Sequence, residues 1–115
     1  AKGPIGAKVQ RVRVESRTPT DLGEQARRIC DRVRGLGERL VPVEVDPRIG
    51  GAVLRSDPAD MRGKRYFEVG LDGKGATLER YKAREGGGRD REPFEVTQEQ
   101  LGRLVDDLSE GLAGE

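Results

Sequence analysis

From Lys8 to Val14 the chain alternates, with Gln10, Val12 and Val14 on one side and Val9, Arg11 and Arg13 on the other. That period of two predicts a strand with one basic face. The period then changes. Thr18-Pro19-Thr20-Asp21 supplies a capping hydroxyl, a proline suited to the first helical position and an acid three residues after the cap. A helix is therefore expected over about Pro19 to Arg34, with Leu22, Ala26, Ile29, Cys30 and Val33 sharing one face and Arg27, Arg28, Asp31, Arg32 and Arg34 spread around the rest. Gly35 or Gly37 is placed to end it, because glycine accepts the left-handed conformation a helix terminus often needs.

Val41, Val43 and Val45 alternate with Pro42 and Glu44, which predicts another strand. Pro42 cannot donate a ladder hydrogen bond, so this strand belongs at an edge or a bulge. A turn follows over Asp46 to Gly51, a return strand over Ala52 to Arg55, and a polar loop over Ser56 to Gly63 with one helical turn near Asp57-Pro58. The clearest hairpin comes next: Arg65, Phe67, Val69 and Leu71 fall on one face, Asp72-Gly73-Lys74-Gly75 carries turn chemistry, and Ala76 to Arg84 returns.

Glu85 to Arg91 holds Gly86, Gly87 and Gly88 between charges and reads as a mobile, exposed loop. Phe94-Glu95-Val96 is extended. Thr97 and Gln100 then form a capping box, with Val96 and Leu101 where a hydrophobic staple sits. Leu101, Leu104, Val105, Leu108 and Leu112 continue as an apolar stripe over about Gln98 to Leu112, opposite Glu99, Asp106, Asp107 and Glu110.

The expected order is β-α-β-β-β-β-α. This is an α+β fold in which an antiparallel sheet of about five strands carries two helices on one face. Residues 1–115 are read as one domain, with residues 1–6 as a flexible arm and residues 85–91 as the mobile loop.

Composition narrows the chemistry. The core must be aliphatic, because the aromatic residues are Tyr66, Phe67, Tyr81 and Phe94 alone. There is no histidine, which removes the commonest general base and the commonest metal ligand. Cys30 is the single cysteine and lies on the apolar stripe of the first helix, so it reads as a buried structural thiol. Asp46, Asp57 and Asp60 flank a loop but match no metal-loop spacing, and turn formation accounts for them. The glycines at 70, 73, 75 and 86–88 lack the Lys-Ser/Thr ending of a phosphate loop. No catalytic residue, cofactor or metal is expected. No apolar stretch approaches a signal peptide's core or a membrane span, so the expected setting is the cytoplasm, without a membrane partner.

Charge is balanced overall at +1 but divided along the chain. Residues 1–65 carry 15 Lys/Arg against 9 Asp/Glu, a balance of +6, and residues 66–115 carry 7 against 12, a balance of −5. Arg11 and Arg13 from the first strand and Arg27, Arg28, Arg32 and Arg34 from the first helix are candidates for one basic surface. Arg80, Tyr81, Lys82 and Arg84 form a second candidate, with Tyr81 as a stacking platform.

Residues 64–108 resemble the small single-stranded-DNA-binding transcriptional coactivators. The likeness runs from Lys64-Arg65-Tyr66-Phe67-Glu68-Val69 through Glu79-Arg80-Tyr81 and the glycine loop to Pro93-Phe94-Glu95-Val96-Thr97-Gln98-Glu99-Gln100. In that family strands with basic and aromatic residues lead into a final helix through a strand, Thr, Pro, Glu, Gln pattern. The likeness covers less than half of the chain. This chain lacks the family helix's proline and tryptophan, and it places Glu68, Glu79 and Glu95 where a nucleic-acid face would carry none. The resemblance implies single-strand binding, with Arg80, Tyr81, Lys82 and Arg84 as the residues that match in type.

Together these features predict a small non-enzymatic interaction module that self-associates, for instance as a homodimer, or docks on a protein partner. Opposed charges on the two helices would meet across a two-fold axis. Single-stranded nucleic-acid binding is the alternative.

Overall fold

The alternating run Arg65–Leu71 (β5) buries Phe67, Val69 and Leu71, and Gly75–Ala83 (β6) returns against it with Val69 opposite Leu78. Asp72 closes the hairpin, its Oδ1 accepting from the N–H groups of Lys74 at 3.0 Å and Gly75 at 2.8 Å. Gly51–Ser56 (β4) pairs with the free side of β5, and Leu40–Asp46 (β3) pairs with β4. The structure, a computed structural model, describes residues 7–16, 21–34, 39–46, 48, 50–56, 65–72 and 74–113. The expected flexible arm, the polar loop beyond Ser56, Thr18-Pro19 and the glycines at 35 and 37 lie outside them.

The outer side of β6 is shared. Val12–Glu15 (β2) pairs with its first half, and Arg89–Glu92 (β7) pairs with its second half. The described sheet therefore runs β2, β6, β5, β4, β3, with β7 beside β6, and every pairing is antiparallel. Ala7–Val9 (β1) and Phe94–Val96 (β8) form a separate two-stranded ribbon.

The α+β fold and its mostly antiparallel sheet are as expected, with β7 and the β1–β8 ribbon added to a central path of five strands. The single strand read from Lys8 to Val14 breaks at Gln10-Arg11, because its first part pairs with β8 and its second with β6. Residues 89–92 likewise form β7, so strand structure begins within the glycine-containing stretch over 85–91. Gly86, Gly87 and Gly88 all adopt positive φ (83°, 117° and 81°) and reverse the chain within a few residues. The Arg84 N–H then donates to the Gly88 carbonyl at 3.0 Å.

Two helices cover one face of the sheet. Leu22–Arg32 (α1) starts three residues later than the sequence suggests, capped by Asp21, whose Oδ1 accepts from the Glu24 N–H at 3.0 Å. Gln98–Ala113 (α2) opens with the expected reciprocal capping box: the Thr97 N–H donates to Gln100 Oε1 at 2.8 Å and the Gln100 N–H to Thr97 Oγ1 at 3.1 Å.

Val12, Val14, Ile29, Val33, Phe67, Val69, Leu104 and Leu108 are buried together as expected, while Leu101 is half-buried and packs at the margin. Phe94 and Val96 from β8 seal one side, with Phe94 edge-on to Phe67 at 5.2 Å. Leu54, Leu78, Leu108 and Leu112 are wholly enclosed.

The two helices touch at Gly111. A Cβ at that position would lie 2.5 Å from Ile29 Cγ1, and Ile29 is itself fully buried, so no larger residue fits without displacing it. Beside this contact, buried Gln25 donates from Nε2 to the Leu112 carbonyl at 3.2 Å. Gly102, on the same helix, is exposed with nothing near its Cβ position.

These packings yield predictions for three variants, all read from urea unfolding. Leu104→Ala should cost about 2–5 kcal/mol, as large-to-small core changes do. Gly102→Ala should add about 0.5–1 kcal/mol through helix propensity. Gly111→Ala should destabilise despite the same propensity gain, because overpacking opposes it. Equal effects of the two alanines would show that α1 and α2 are not in close contact.

Candidate functional site

The arginines singled out in the sequence divide between two layers of the molecule. On the helix layer, Arg27 pairs with Glu24 at 2.6 Å within α1. Arg28 donates from Nε to the Gly111 carbonyl at 2.8 Å, and Arg32 pairs with Glu110 at 3.0 Å. Arg34 donates to the Asp31 carbonyl. The anticipated meeting of a basic first helix with an acidic last helix thus takes place within one chain. Arg28 meets the C-terminal carbonyls of α2, where a cation is favoured by the helix dipole.

On the opposite face of the sheet, which the helices leave uncovered, lies a different set. Register places Glu68 of β5 directly opposite Glu79 of β6, a like-charge pair that is unfavourable alone. Arginines surround it. Glu68 accepts from Arg55 at 3.2 Å and pairs with Arg89, while Glu79 takes Arg11 at 3.3 Å and Arg91 at 3.1 Å. Arg89 also sits 3.8 Å from the Tyr81 ring centre, and Arg55 lies 4.8 Å from that of Tyr66. Hydrogen bonding to Glu68 and then to Tyr66 raises the Arg89 guanidinium above its ordinary range.

Glu79 occupies the seam where β2 gives way to β7 along β6. Arg11 reaches it from the bend before β2 and Arg91 from β7, so one carboxylate ties the two half-strands together. Tyr81 donates from its hydroxyl to the same carboxylate at 3.1 Å.

Arg13 stands farther along this face, bonded to Glu15, to Thr77 at 2.7 Å and to Asp72 at 2.9 Å. Burial would raise the Asp72 carboxyl, but the Lys74 and Gly75 N–H groups and Arg13 outweigh it and hold the group below its usual range.

Strand alternation separates the second candidate cluster. Tyr81 faces the open side, whereas Arg80 turns toward the helices and lies 4.5 Å from the Phe67 ring centre. Lys82 is exposed near the strand end, and Arg84 pairs with Asp90 at 3.2 Å beyond it. Arg55, Arg89 and Arg91 carry the face together with Arg11. Arg11 is a candidate in the sequence, whereas Arg55, Arg89 and Arg91 escape a sequence reading because cross-strand register alone brings them around Glu68 and Glu79.

A third surface differs in kind. β3 closes the sheet as an edge strand among the described residues, with an irregular register between Pro42 and Glu44 as the proline suggested. Val41, Val43 and Val45 are 40%, 52% and 38% exposed, and they are the exposed large hydrophobics among the described residues. Between β3 and α1 runs a groove of about 390 Å³, lined on its apolar part by Ala26, Cys30, Leu40, Pro42 and Val45. Burial pushes the Cys30 thiol up, which leaves it a poor nucleophile in that wall.

Asp46 accepts from the Arg48 backbone and side chain, while Asp57 and Asp60 lie outside the described residues. Among the described residues no group of three or more metal-ligating side chains gathers, and no helix is long and apolar enough to cross a membrane.

Burial first, and then the charge and hydrogen bond of Glu79, raise the Tyr81 phenol above its ordinary value. A raised folded-state value means that this contribution to stability is complete below the unfolded pKa of about 10 and is lost as pH rises through the folded one. Replacing Glu79 by Gln should therefore move the Tyr81 transition to lower pH, read from phenolate absorbance with Tyr66→Phe in the background. An unmoved transition would mean that the Tyr81–Glu79 bond does not form.

No protein-family model, curated protein or solved structure matches the chain, and its function has to be read from its own surfaces.

Proposed function

We propose that the domain is a protein-interaction module that binds an extended polypeptide segment along β3 and in the groove under α1. One observation carries the reading. Single exposed hydrophobics are ordinary on a protein surface, but Val41, Val43 and Val45 form a run on an edge strand beside an apolar groove. Elsewhere the described surface is dominated by Arg, Asp and Glu held in ion pairs, as on the open sheet face. An edge strand offers main-chain donors and acceptors, and its flanking pockets supply selectivity.

Single-stranded nucleic acid on the open face is the second reading, favoured by the arginines around Tyr66 and Tyr81. Phosphates there would compete with carboxylates. Arg11, Arg55, Arg89 and Arg91 are already bonded to Glu68 and Glu79, and the Tyr81 ring already carries Arg89. The edge requires no such exchange and takes precedence.

The test uses peptides selected from a random library on the immobilised parent domain and then measured against Val43→Lys/Val45→Lys. Lysine on an edge strand is a natural guard against pairing, and at these exposures it should leave unfolding within about 0.5 kcal/mol of the parent. Affinity for the selected peptides should fall about tenfold or more, equivalent to about 1.4 kcal/mol. Peptides that bind parent and variant equally would reject the edge as the docking surface.

A further inference from the structure

We infer that the occupant of the β3 edge is a second copy of this chain, laid antiparallel across a two-fold axis; the inference rests on the docking reading above. Charge along the strand carries it. Arg39 precedes β3 and is exposed, whereas Glu44 stands exposed toward the far end, where Asp46 is already paired with Arg48, so the edge sets a cation at its start against the Glu44 carboxylate near its finish. Antiparallel self-pairing sets Arg39 of each copy against the acidic end of the other, twice in one interface, as an isologous contact requires. A parallel arrangement would oppose like charges at both ends.

Between these ends lie the exposed Val41, Val43 and Val45, which the register shift divides between the two faces of the edge, Val41 beside Arg55 on the open face and Val45 beside Ala52 on the helix side. The contact rests on side-chain packing more than on a backbone ladder. Pro42 contributes no N–H, and the irregular register between Pro42 and Glu44 interrupts regular strand addition. Those same features oppose open-ended stacking. Each copy spends its apolar edge in one contact, and the sheet's other side is divided between β2 and β7, so association closes at two.

The helix layer extends the complementarity. α1 borders the groove with Arg27 and Asp31, whose side chains are 63% and 55% exposed. The groove walls of Ala26, Leu40 and Pro42 then have room for apolar side chains from the facing strand.

Analytical ultracentrifugation of the full chain over a range of concentrations tests the inference, with four proteins compared: the parent, Val43→Lys/Val45→Lys, Arg39→Glu and Glu44→Arg. The parent should sediment as a dimer at concentrations where the double lysine variant is a monomer. Arg39→Glu and Glu44→Arg should each weaken self-association about tenfold. An equimolar mixture of the two should restore it as a mixed dimer, which no loss of folding could mimic. A parent that is monomeric throughout would overturn the inference, as would a dimer unaffected by all three variants. If that monomer still binds selected peptides through the valines, the docking reading stands without self-association; if it binds none, both fall.

Discussion

Everything in this fold depends on fitting two helices over one face of a sheet whose core is almost wholly aliphatic. The enclosed side chains at the centre are Ile29 from α1, Leu108 and Leu112 from α2, and Leu54, Val69 and Leu78 from the sheet. They can converge because Gly111 lets α2 approach the backbone of α1 at Ile29. Polar groups at this crossing are arranged around the contact: Gln25 and Arg28 both donate to carbonyls at the C-terminal end of α2. These donors fix one helix against the other, since sliding would leave the buried Gln25 amide unpaired at a cost of about 1–3 kcal/mol.

With both helices on one side, the other face of the sheet has to be built from groups that tolerate water. Register then places Glu68 against Glu79, and arginines converge on them from β4, β7 and the bend before β2. The arginines stand partly in water, but the Glu68 and Glu79 side chains are only 13% and 16% exposed and need these cations as partners. Their structural value here is positional, because Glu79 is the shared anchor of two half-strands that β6 would otherwise have to hold by main-chain bonds alone. The arginine abundance that suggested a binding surface is thus largely consumed in neutralising this face and the helix layer.

What could be read from the sequence was whatever depended on near neighbours. The Thr97/Gln100 capping box, the leucine stripe of α2 and the β5–β6 hairpin are local patterns, and each is present. So is the edge position of β3, because a proline's missing N–H constrains a strand wherever it lies. Long-range choices were hidden. The break between β1 and β2 exists because β8 and β6 compete for successive residues of one run, and β7 exists because half of β6 lacks another neighbour. The start of α1 went to Asp21 over Thr18 among several plausible capping residues, a competition that composition alone does not rank. Arg80 and Tyr81, adjacent in sequence, were divided by the pleat between core and open face.

The edge strand carries a tension that the remaining surface lacks. Pro42 and the broken register beside Val43 are features that discourage strand addition, yet the valines around them keep apolar area in water at a cost of roughly 25 cal/mol per Å². Were protection from pairing the sole requirement, polar residues at 41, 43 and 45 would supply it and remove that cost. Were a long backbone ladder the requirement, a proline within the strand would be excluded. The combination suits a contact that is apolar and limited in extent, stopping short of continuous pairing. Such a contact discriminates by shape and by the charges at its two ends, and it leaves the central sheet intact whether or not the edge is occupied.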